Sequence, residues 1–529
     1  MPAARSLRAR LLGDPAAVIA TGVGALWLAA LLRAFWGYEL ETPRGRFWGV
    51  ADDVYISADF ARTFLQGGGL RWFPEAPKVE GFSNPLWVAV LAVVHALPGF
   101  RETDLGLWLV AVNAAVLVAL AHAYGRGLRR ALSLLSVENP TAGRVALSVL
   151  VSASGCVVLC HCAAIGFETA LATWFAFAAF VDALAVDGPV PVGRVGVLVG
   201  LAFWTRMDAV LPCAAAVVLV FLRGGGARGV ARALSIASVM MAASFVARFL
   251  YFGQWLPNTY YLKATGWPLR PRLEQGMFLA LAPVLLLALA VVPGLVLVLR
   301  RSRAVGRLAA IALLPYGLTL FYSVHNGGDL VAAFGLDRFT AMGTPFLVFG
   351  LSIVALALPA GRVSAFVGSA VAMVVAAGPA LDGLRTFLDP RGGAPRDTLV
   401  EAFAYQGELI RDFARSGARV AVCAAGATVY FSHAGGVDLL GKIEPLVARE
   451  PVRERVPPDA RCWRGFPGAG HNKEDTPLVF AERHPEISVV VPPGRALGDY
   501  ERFTYRGVPF YARRGTSFVD WSRVSRARK

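Results

Sequence analysis

The stretch AAVIATGVGALWLAALLRAFW, residues 16–36, is the part of the sequence that decides the fold class. Arg33 is its single charged residue, and its length is close to the roughly 20 residues that a helix needs to cross a bilayer. Comparable apolar runs recur at about 105–124, 145–165, 169–186, 233–252, 276–299, 308–325, 339–358 and 363–381, with shorter ones at 194–205 and 209–222. This pattern predicts a polytopic α-helical membrane protein.

The composition agrees with a lipid bilayer as the main environment of the chain. Of the 529 residues, 56% are hydrophobic and 17% are charged, and the mean hydropathy is +0.55. Soluble domains are usually about 45–50% apolar and about 25% charged, so a wholly soluble enzyme is disfavoured and a disordered or fibrous chain is excluded. The formal net charge is +16, but no basic tract with interleaved aromatic residues is present. We therefore predict no nucleic-acid partner.

Arginine residues in the short loops predict the orientation of the chain in the membrane. Arg5, Arg8 and Arg10 precede the first apolar run and predict a cytoplasmic N-terminus. The segment 85–98 is short enough for a surface or half-penetrating helix, and if it does not cross, the later basic loops also become cytoplasmic. These loops contain Arg126, Arg129, Arg130, Arg144, Arg223, Arg228, Arg232, Arg300, Arg301, Arg303 and Arg307. The loop 37–84 and the C-terminal region are then predicted to be extracytoplasmic.

The apolar pattern ends after Ala380, which divides the chain by composition. Residues 1–381 are predicted to form a transmembrane catalytic domain, and residues 382–529 an extracytoplasmic soluble domain. Strand-like segments such as 418–423 and 487–492 predict an α/β fold for the soluble domain. Both predictions follow from the change in hydrophobic periodicity.

The six cysteines leave two alternatives open. Cys423 and Cys462 lie in the predicted outside domain, where they either form a disulfide or remain two unpaired thiols. Cys160, His161 and Cys162 resemble a metal-binding cluster, but they lie within an apolar run with no fourth ligand nearby in the sequence. Buried small residues are the preferred interpretation of this tripeptide.

The first outside loop contains two adjacent carboxylates in the string ADDVYIS, residues 51–57. Asp52 and Asp53 can act in three ways: one as a general base, both as ligands of a divalent cation, or both as caps of the following helix. Arg62 lies nine residues beyond Asp53 on what we predict to be the same short helix. It can keep the carboxylate of Asp52 ionised. The dipeptide alone leaves the three alternatives open.

Further polar residues flank the apolar runs or lie in the C-terminal region. Ionisable groups at membrane depth are costly and are usually functional. An arginine beside a membrane cavity suits the phosphate of a lipid carrier, and a neighbouring carboxylate suits activation of a hydroxyl. The candidate substrate-binding residues are Arg62, Glu80, Asn84, Glu168, Arg206, Asp208, Asn258, Lys263, Asp329, Arg338 and His471.

These motifs, in this order, resemble those of GT-C integral-membrane glycosyltransferases, in particular the bacterial terminal arabinofuranosyltransferase branch. The resemblance begins in the first outside loop with DDVYIS (52–57), GGGL (67–70) and VEGFSNPLW (79–87). It continues with GFET (166–169), TRMD (205–208), PNTYYLK (257–263), GGD (327–329), RF (338–339), DLLG (438–441), GHNK (470–473) and PEI (485–487). One departure is Arg206-Met207-Asp208, where the family commonly has Arg-Pro-Glu, so that this carboxylate is one carbon shorter.

The resemblance implies a GT-C-like fold with about 11 transmembrane helices in the bacterial cytoplasmic membrane. It implies an inverting transferase that moves arabinofuranose, or another pentose or hexose, from a polyprenyl-phosphate donor to a cell-envelope glycan. Asp52 is then the expected general base, and Asp53 orients it or helps to hold a divalent cation. The C-terminal domain is expected to bind the acceptor or to close over the site.

A transporter or flippase for a lipid-linked or small polar substrate is the main alternative function, because many spans and intramembrane charges fit it as well. Transporters often contain an internal repeat with paired broken helices. The two halves of this sequence show no convincing similarity, and a long outside C-terminal region is unusual in a transporter. A scaffold with a degenerate site is a third interpretation.

Overall fold

The structure is a computed structural model that describes residues 14–137, 140–186, 188–329, 337–357, 398–453, 456–462 and 471–526. The helices of these residues are, in chain order, α1 (Pro15–Trp36), α2 (Asp52–Leu65), α3 (Pro85–His95), α4 (Leu105–Leu134), α5 (Ala142–Gly155), α6 (Val157–Ala164), α7 (Thr169–Ala183), α8 (Val192–Thr205), α9 (Ala214–Arg223), α10 (Gly226–Phe252), α11 (Asn258–Ala264), α12 (Leu269–Leu279), α13 (Leu281–Leu286), α14 (Val292–Arg301), α15 (Arg303–His325), α16 (Arg338–Ala341), α17 (Thr344–Ala357), α18 (Thr398–Phe413), α19 (Ala427–Ser432), α20 (Pro445–Ala448) and α21 (Thr476–Arg483).

The strands and the tighter or wider helical turns complete the description. The strands are β1 (Glu39–Thr42), β2 (Gly45–Trp48), β3 (Arg419–Val422), β4 (Gly435–Asp438), β5 (Ile487–Ser488), β6 (Tyr500–Tyr505), β7 (Val508–Arg513) and β8 (Ser525–Arg526). Short 3-10 helices lie at Glu102–Asp104, Met207–Val210, Pro458–Ala460 and Gly494–Asp499. A π-helical turn lies at Leu287–Val291.

Four of the described helices are long and apolar enough to cross a membrane: α1, α4 with the turn before it, α10 and α15. The pair α5 and α6 adds a fifth span if it is counted as one helix with a 45° bend. The chain is therefore an α-helical multi-pass membrane protein, as the sequence predicts. The count of about 11 spans stays a prediction, and the run 363–381 lies outside the described residues.

Two apolar runs are interrupted where the sequence pattern is continuous. The run 145–165 is broken at Cys156, between α5 and α6, and the run 276–299 contains the π-helical turn and Pro293 at the start of α14. A proline removes one backbone donor and usually ends or bends a helix. In the segment 85–98 the helix α3 has 11 residues, which corresponds to about 16 Å at 1.5 Å per residue. A helix of this length is too short to cross the bilayer by itself.

The chain divides into two compact units. The helical unit comprises Met1–Phe35, Leu109–Ser244 and Arg270–Gly393, and the mixed unit comprises Trp36–Trp108, Phe245–Leu269 and Ala394–Lys529. The mixed unit thus contains the first outside loop together with the C-terminal α/β region. The domain boundary predicted at 381/382 lies outside the described residues.

The core of the helical unit is aromatic. The ring of Phe177 on α7 lies 5.0 Å from that of Phe346 and 5.6 Å from that of Phe349, both on α17. On α4 the hydroxyl of Tyr124 donates a hydrogen bond to Oγ of Ser352 on α17, at 3.0 Å. Packed aromatic rings and a satisfied buried hydroxyl hold these three helices together. They support α7, which begins directly after Glu168.

The mixed unit contains the β1–β2 hairpin and a six-stranded sheet with the order β4-β3-β5-β7-β6-β8. Strand β3 pairs in parallel with both β4 and β5, and the remaining pairs are antiparallel. The predicted strands 418–423 and 487–492 correspond to β3 and to the much shorter β5. The C-terminal region is an α/β structure, as the sequence predicts.

A disulfide joins Cys423, directly after β3, to Cys462, with 5.6 Å between their Cα atoms. The structure therefore decides between the two alternatives that the sequence leaves open for this pair. In the helical unit, Cys160 and Cys162 are buried thiols on α6. Within the described ranges no group of three or more His, Cys, Asp or Glu side chains could hold a metal ion.

Candidate active site

Asp52 lies in the first turn of α2, and its carboxylate is held by the backbone of the C-terminal region. Oδ1 accepts a hydrogen bond from the N–H of Ala427 at 2.8 Å, and Oδ2 accepts one from the N–H of Gly426 at 3.1 Å. Ala51, the N-cap of α2, makes no side-chain cap hydrogen bond. Asp52 therefore caps α19. The sequence alone suggests a different helix, α2, as the one that Asp52 could cap.

The surroundings of Asp52 raise its pKa toward neutral pH. Burial raises the pKa of Asp52 to about 6, against the lowering effects of the Ala427 N–H and of the Lys442 ammonium. The adjacent carboxylate of Asp53 raises the pKa further, by like-charge repulsion. A carboxyl group with a pKa near the working pH is ionised at pH 7, yet it accepts a proton more readily than an ordinary aspartate.

Asp53 forms an ion pair with Lys442 and is 37% exposed. A divalent cation bridging Asp52 and Asp53 was one alternative from the sequence. Here each oxygen of Asp52 already accepts one backbone N–H and the charge of Asp53 is matched by an ammonium, so the pair attracts a cation, which usually takes six or more oxygen ligands, only weakly. The described residues therefore fit a metal poorly, and the chemistry of the pair is that of a base and its charged neighbour.

Arg62 does not contact Asp52, which corrects the role suggested for it above. Its guanidinium pairs with the fully buried Asp59, and Nη1 donates to Glu102 at 3.1 Å and to the carbonyl oxygen of Tyr430 at 2.8 Å. In a helix, ten residues separate two side chains by about 15 Å, whereas positions i and i+3 are neighbours. Arg62 therefore joins α2 to Glu102 and α19 instead of supporting the carboxylate of Asp52.

Asn84 and Glu80, also predicted from the first loop, make structural contacts. Oδ1 of Asn84 accepts a hydrogen bond from the hydroxyl of Ser57 at 3.2 Å, which joins the start of α3 to α2. Glu80 is buried and pairs with the equally buried Arg248 on α10. Nη1 of Arg248 is a buried donor that has no hydrogen-bond partner among the residues that the structure describes.

A cavity of about 540 Å³ lies beside Glu80 and Asn258 in the mixed unit. Its lining residues are Lys78, Val79, Glu80, Phe252, Gln254, Leu256, Asn258, Tyr261, Pro445, Leu446, Arg449 and Glu450. The amide of Asn258 donates to the carbonyl oxygen of Lys442 at 3.1 Å, while the ammonium of Lys442 pairs with Asp53. Lys442 therefore connects the cavity wall with the carboxylate pair.

Two cations line this cavity, Lys78 and Arg449. Lys78 lies over the ring of Tyr251, 4.8 Å from its centroid, and Arg449 lies over the ring of Tyr261, at 4.9 Å. Nη1 of Arg449 also approaches Oδ1 of Asn258, at 3.4 Å. Neither cation forms an ion pair within the described part of the chain. The two carboxylates of the lining, Glu80 and Glu450, pair with Arg248 and Arg453, so Lys78 and Arg449 remain available to an anionic group in the cavity.

Two further predicted residues lie in the mixed unit at separate positions. Lys263 is half-buried in the last turn of α11, and His471 places Nδ1 3.6 Å from Oε1 of Glu474. The neighbouring Lys473 is buried, and its ammonium donates to the carbonyl oxygens of Tyr261 at 2.8 Å and of Ala448 at 3.0 Å. Within the motif HNK, Lys473 therefore joins the end of α20 to α11.

In the helical unit, Arg206 is surrounded by the carboxylates predicted from the neighbouring motifs. Its Nη1 donates to Oε1 of Glu168 at 2.8 Å, and Nε and Nη2 bind both oxygens of Asp208 at 3.0 and 2.8 Å. All three side chains are at most 12% exposed. The shorter carboxylate of Asp208 therefore still reaches the guanidinium in a bidentate arrangement.

Arg338 forms a second bidentate pair in the same unit. Nε and Nη2 bind the two oxygens of Asp329 at 2.6 and 2.8 Å, and the guanidinium lies 4.6 Å from the ring centroid of Phe167. The adjacent Asp337 does not pair with Arg338 in this way; it accepts hydrogen bonds from the N–H groups of Phe339 and Thr340 and so caps α16. Both arginines predicted to bind phosphate are thus matched by carboxylates.

The structure brings the predicted residues of the helical unit together and adds residues that the sequence did not single out. The helical unit gathers Glu168, Arg206, Asp208, Asp329 and Arg338, whereas the predicted residues of the mixed unit lie at several separate positions. The additional residues are Gly426, Ala427, Lys442, Arg248, Arg449 and Lys473. Only Lys473 lay within a quoted motif; the others are separated from their partners by long stretches of chain.

The sequence matches no protein-family model, and no curated protein matches it significantly. Among solved structures, the chain is similar to ArnT from Cupriavidus metallidurans bound to undecaprenyl phosphate, with 14% identity over 78% of this chain and 85% of that chain and a TM-score of 0.47. It is also similar to the apo form of the Archaeoglobus fulgidus oligosaccharyltransferase, with 12% identity over 93% of this chain and 74% of that chain and a TM-score of 0.43. These likenesses concern the fold alone.

Proposed function

We propose that this chain is a GT-C-type membrane glycosyltransferase that moves a sugar from a polyprenyl-phosphate donor to a hydroxyl of an extracytoplasmic glycan. The observation that carries the proposal is the environment of Asp52, which is partly buried and has a raised pKa. This residue is the base implied by the sequence resemblance, and it is a half-buried carboxylate whose pKa is raised to about 6 by its surroundings. Arabinofuranose is the first candidate sugar, with another pentose or a hexose as alternatives.

In the proposed reaction, Asp52 acts as the general base. The acceptor hydroxyl attacks the anomeric carbon from the face opposite the phosphate, and its proton passes to a carboxylate oxygen of Asp52. The bond between the anomeric carbon and the phosphate oxygen breaks, and its electron pair leaves with the polyprenyl phosphate. The anomeric centre is inverted. Asp53 increases the basicity of Asp52 through its negative charge, and Lys442 fixes Asp53 in place.

The cavity beside Glu80 is the proposed site of the donor head group. Its volume of about 540 Å³ falls within the usual range of small-molecule pockets, roughly 300–1,000 Å³. Lys78 and Arg449 provide charge for the phosphate, and the carboxylate oxygens of Glu80 and the side-chain oxygen of Asn258 provide acceptors for sugar hydroxyls. Phe252, which also lines the cavity, is the last residue of the candidate span α10. A prenyl chain that begins here can therefore remain in lipid.

For Arg206 and Arg338 we propose a supporting role. An arginine at either position can contact the lipid phosphate or can form an ion pair that holds helices together. Their contacts support the second alternative, because each guanidinium is already engaged by carboxylates at nearly ideal distances.

We also propose that the loop 37–84 and the C-terminal region, residues 382–529, lie on the extracytoplasmic side of the membrane. Disulfides persist in oxidising compartments, and the Cys423–Cys462 pair supports this location. The test is a pair of fusions with a reporter that is active only outside the cytoplasm. A fusion after Lys529 should be active and a fusion near Arg130 silent; the reverse result would overturn the orientation.

The experiment that tests the function uses the full chain, purified and reconstituted with polyprenyl-phosphate-linked arabinofuranose and an arabinan oligosaccharide. A parallel arm uses a polyprenyl-phosphate-linked hexose. We expect a new glycosidic product and the release of one polyprenyl phosphate per sugar transferred. Redistribution of intact lipid-linked sugar across the vesicle membrane, without cleavage, would instead establish the transporter alternative.

A further inference from the structure

We propose that the backbone turn Gly426–Ala427 of the C-terminal region is the positioning element of the base, and that Gly426 is required for sugar transfer although it does not contact a substrate. The proposal rests on the assignment of Asp52 as the base. It makes the C-terminal region part of the catalytic apparatus, in addition to the acceptor-binding or closing role that the resemblance implies.

The turn contacts Asp52 through both carboxylate oxygens. Each carboxylate oxygen of Asp52 accepts one backbone N–H, from Gly426 and from Ala427, at 3.1 and 2.8 Å. Two fixed donors on two oxygens determine both the position and the rotation of a carboxylate. The outward lone pairs of the same oxygens remain available for the proton of an acceptor hydroxyl.

The space around residue 426 admits only glycine. A Cβ atom on Gly426 would lie 1.9 Å from the backbone carbonyl oxygen of Asp52 and 2.7 Å from its Oδ1. The backbone of Gly426 also has φ −93° and ψ −94°, outside the main regions that residues with side chains prefer. A side chain at this position therefore cannot coexist with the observed position of Asp52.

The turn is rigidly supported. Gly426 follows β3, at the carboxyl end of a parallel strand, which is where open α/β sheets usually present backbone groups to ligands. In α19, the rings of Tyr430 and Phe431 pack against Tyr55 of α2, with centroids 5.1 and 5.2 Å apart. This aromatic contact fixes α19 against α2, so the two N–H groups are aligned before any substrate binds.

The two N–H donors also affect the equilibrium between the ionised and the protonated form of Asp52. Backbone N–H donors stabilise the ionised carboxylate, so their loss makes Asp52 easier to protonate. The titratable groups that interact with Asp52 are Asp53, Tyr55 and Asp59 on α2 and Lys442 after β4. The Gly426→Ala substitution removes none of these groups, so a change in the pH profile reports on the position of Asp52 relative to the turn.

The experiment compares Gly426→Ala with the wild type in the reconstituted transfer assay with polyprenyl-phosphate-linked arabinofuranose. We expect kcat to fall roughly ten- to a hundredfold, the range of one or two hydrogen bonds to a charged group, with donor KM unchanged. We also expect the acid limb of the kcat–pH profile to move to higher pH. The matched control is Gly498→Ala, because a Cβ there meets no atom within 4 Å and the residue is exposed. It should retain wild-type kinetics.

A second variant removes the risk that Gly426→Ala does not fold. Ala427→Pro deletes the N–H that binds Oδ1 of Asp52 at the first position of α19, where a helix tolerates proline. Either folded variant with wild-type kcat and an unchanged pH profile would overturn the proposal. The base assignment is tested separately by Asp52→Asn. If that variant is inactive while both turn variants are normal, only the positioning role fails; if it transfers sugar normally, the assignment of the base fails.

Discussion

Arg206 in the helical unit is bound by Glu168 and by both oxygens of Asp208, whereas Asp52 in the mixed unit is held by two backbone N–H groups and forms no ion pair within the described residues. Both sites contain charged groups that the sequence marked as functional. In the first site the carboxylates compensate the cation, and all the groups are buried. In the second site the charge is stabilised by neutral dipoles.

The difference separates a stabilising site from a reactive one. A buried ion pair that loses one partner leaves an uncompensated charge, so it resists a change of protonation. A carboxylate held by N–H groups and near its pKa can gain a proton and lose it again without breaking a pair. We therefore expect mutations in the helical cluster to affect stability and mutations around Asp52 to affect the rate.

The largest expected effect is that of Asp52→Asn, which keeps the shape of the side chain and removes the base. Loss of a general base typically lowers the rate by about a hundred- to ten-thousandfold. Transfer from polyprenyl-phosphate-linked arabinofuranose should fall by this factor, while thermal unfolding and donor binding stay close to the wild type. Asp53→Asn should be less damaging, because Asp53 only supports the base. A wild-type rate for Asp52→Asn would remove the distinction between the two sites.

Arg206→Ala should have the largest effect on stability. It leaves Glu168 and Asp208 buried without their cation, and breaking a buried pair costs about 3–5 kcal/mol. Thermal unfolding of the purified protein measures the loss, and donor KM in the surviving folded protein should be normal. Arg270→Ala is the control, because its pair with Glu274 is exposed and should be dispensable. A stable Arg206→Ala variant that cannot use the donor would instead make Arg206 a phosphate ligand.

Removal of the disulfide should cause the next largest loss of stability. Cys423 and Cys462 are 39 residues apart in sequence, and a cross-link of this loop length stabilises a fold by about 2–4 kcal/mol. The Cys423→Ser variant should unfold at a lower temperature and should no longer respond to a reductant. Cys213→Ser, at a buried free thiol, should remain sensitive to the reductant like the wild type. Equal sensitivity of the Cys423→Ser variant would mean that the disulfide does not form.

Arg449 offers the direct contrast to Arg206, since it has no carboxylate partner within the described part of the chain. Arg449→Ala should raise donor KM roughly ten- to a hundredfold, which corresponds to a charge-assisted contact of about 1.5–3 kcal/mol. The temperature of unfolding should change little, because no buried charge is left unmatched. Unchanged donor KM would exclude the cavity as the phosphate site.

The smallest expected effects are those of pH. As pH rises, the transfer rate should increase while the stability contributed by the buried carboxyl groups decreases. Burial raises the pKa values of Asp52 and Asp438 to about 6, above the ordinary value of 3.8. The folded state therefore holds protons that the unfolded state releases, and the stability contributed by these groups falls as pH rises from about 4 through about 6. The transfer rate should fall as pH is lowered through about 6.

Thermal unfolding of the wild type and of Asp438→Asn, measured from pH 4 to pH 8, checks the sign of this effect. The wild type should lose stability relative to the variant as pH rises. A wild type that gains stability relative to Asp438→Asn over this range would mean that the pKa of Asp438 is lowered by folding.

The positions of the apolar helices and the residues of the helical cluster were predictable. Charges within apolar runs are conspicuous, and Glu168, Arg206 and Asp208 lie at the ends of helices that the hydropathy pattern already defines. The partner of Arg62 was not predicted, although the i, i+3 spacing to Asp59 indicates it. Asp59 lies outside the motif DDVYIS, residues 52–57, so no motif indicates it.

The sequence by itself determined that the chain crosses the membrane several times and ends in an α/β region, because these features depend on local composition and periodicity. Only the tertiary structure decided what holds Asp52, because Gly426 and Ala427 lie more than 370 residues away in the chain. The same is true of the cavity, whose cations Lys78 and Arg449 come from distant segments. Backbone N–H groups are present in almost every residue, so no sequence pattern indicates which two of them will meet a given carboxylate.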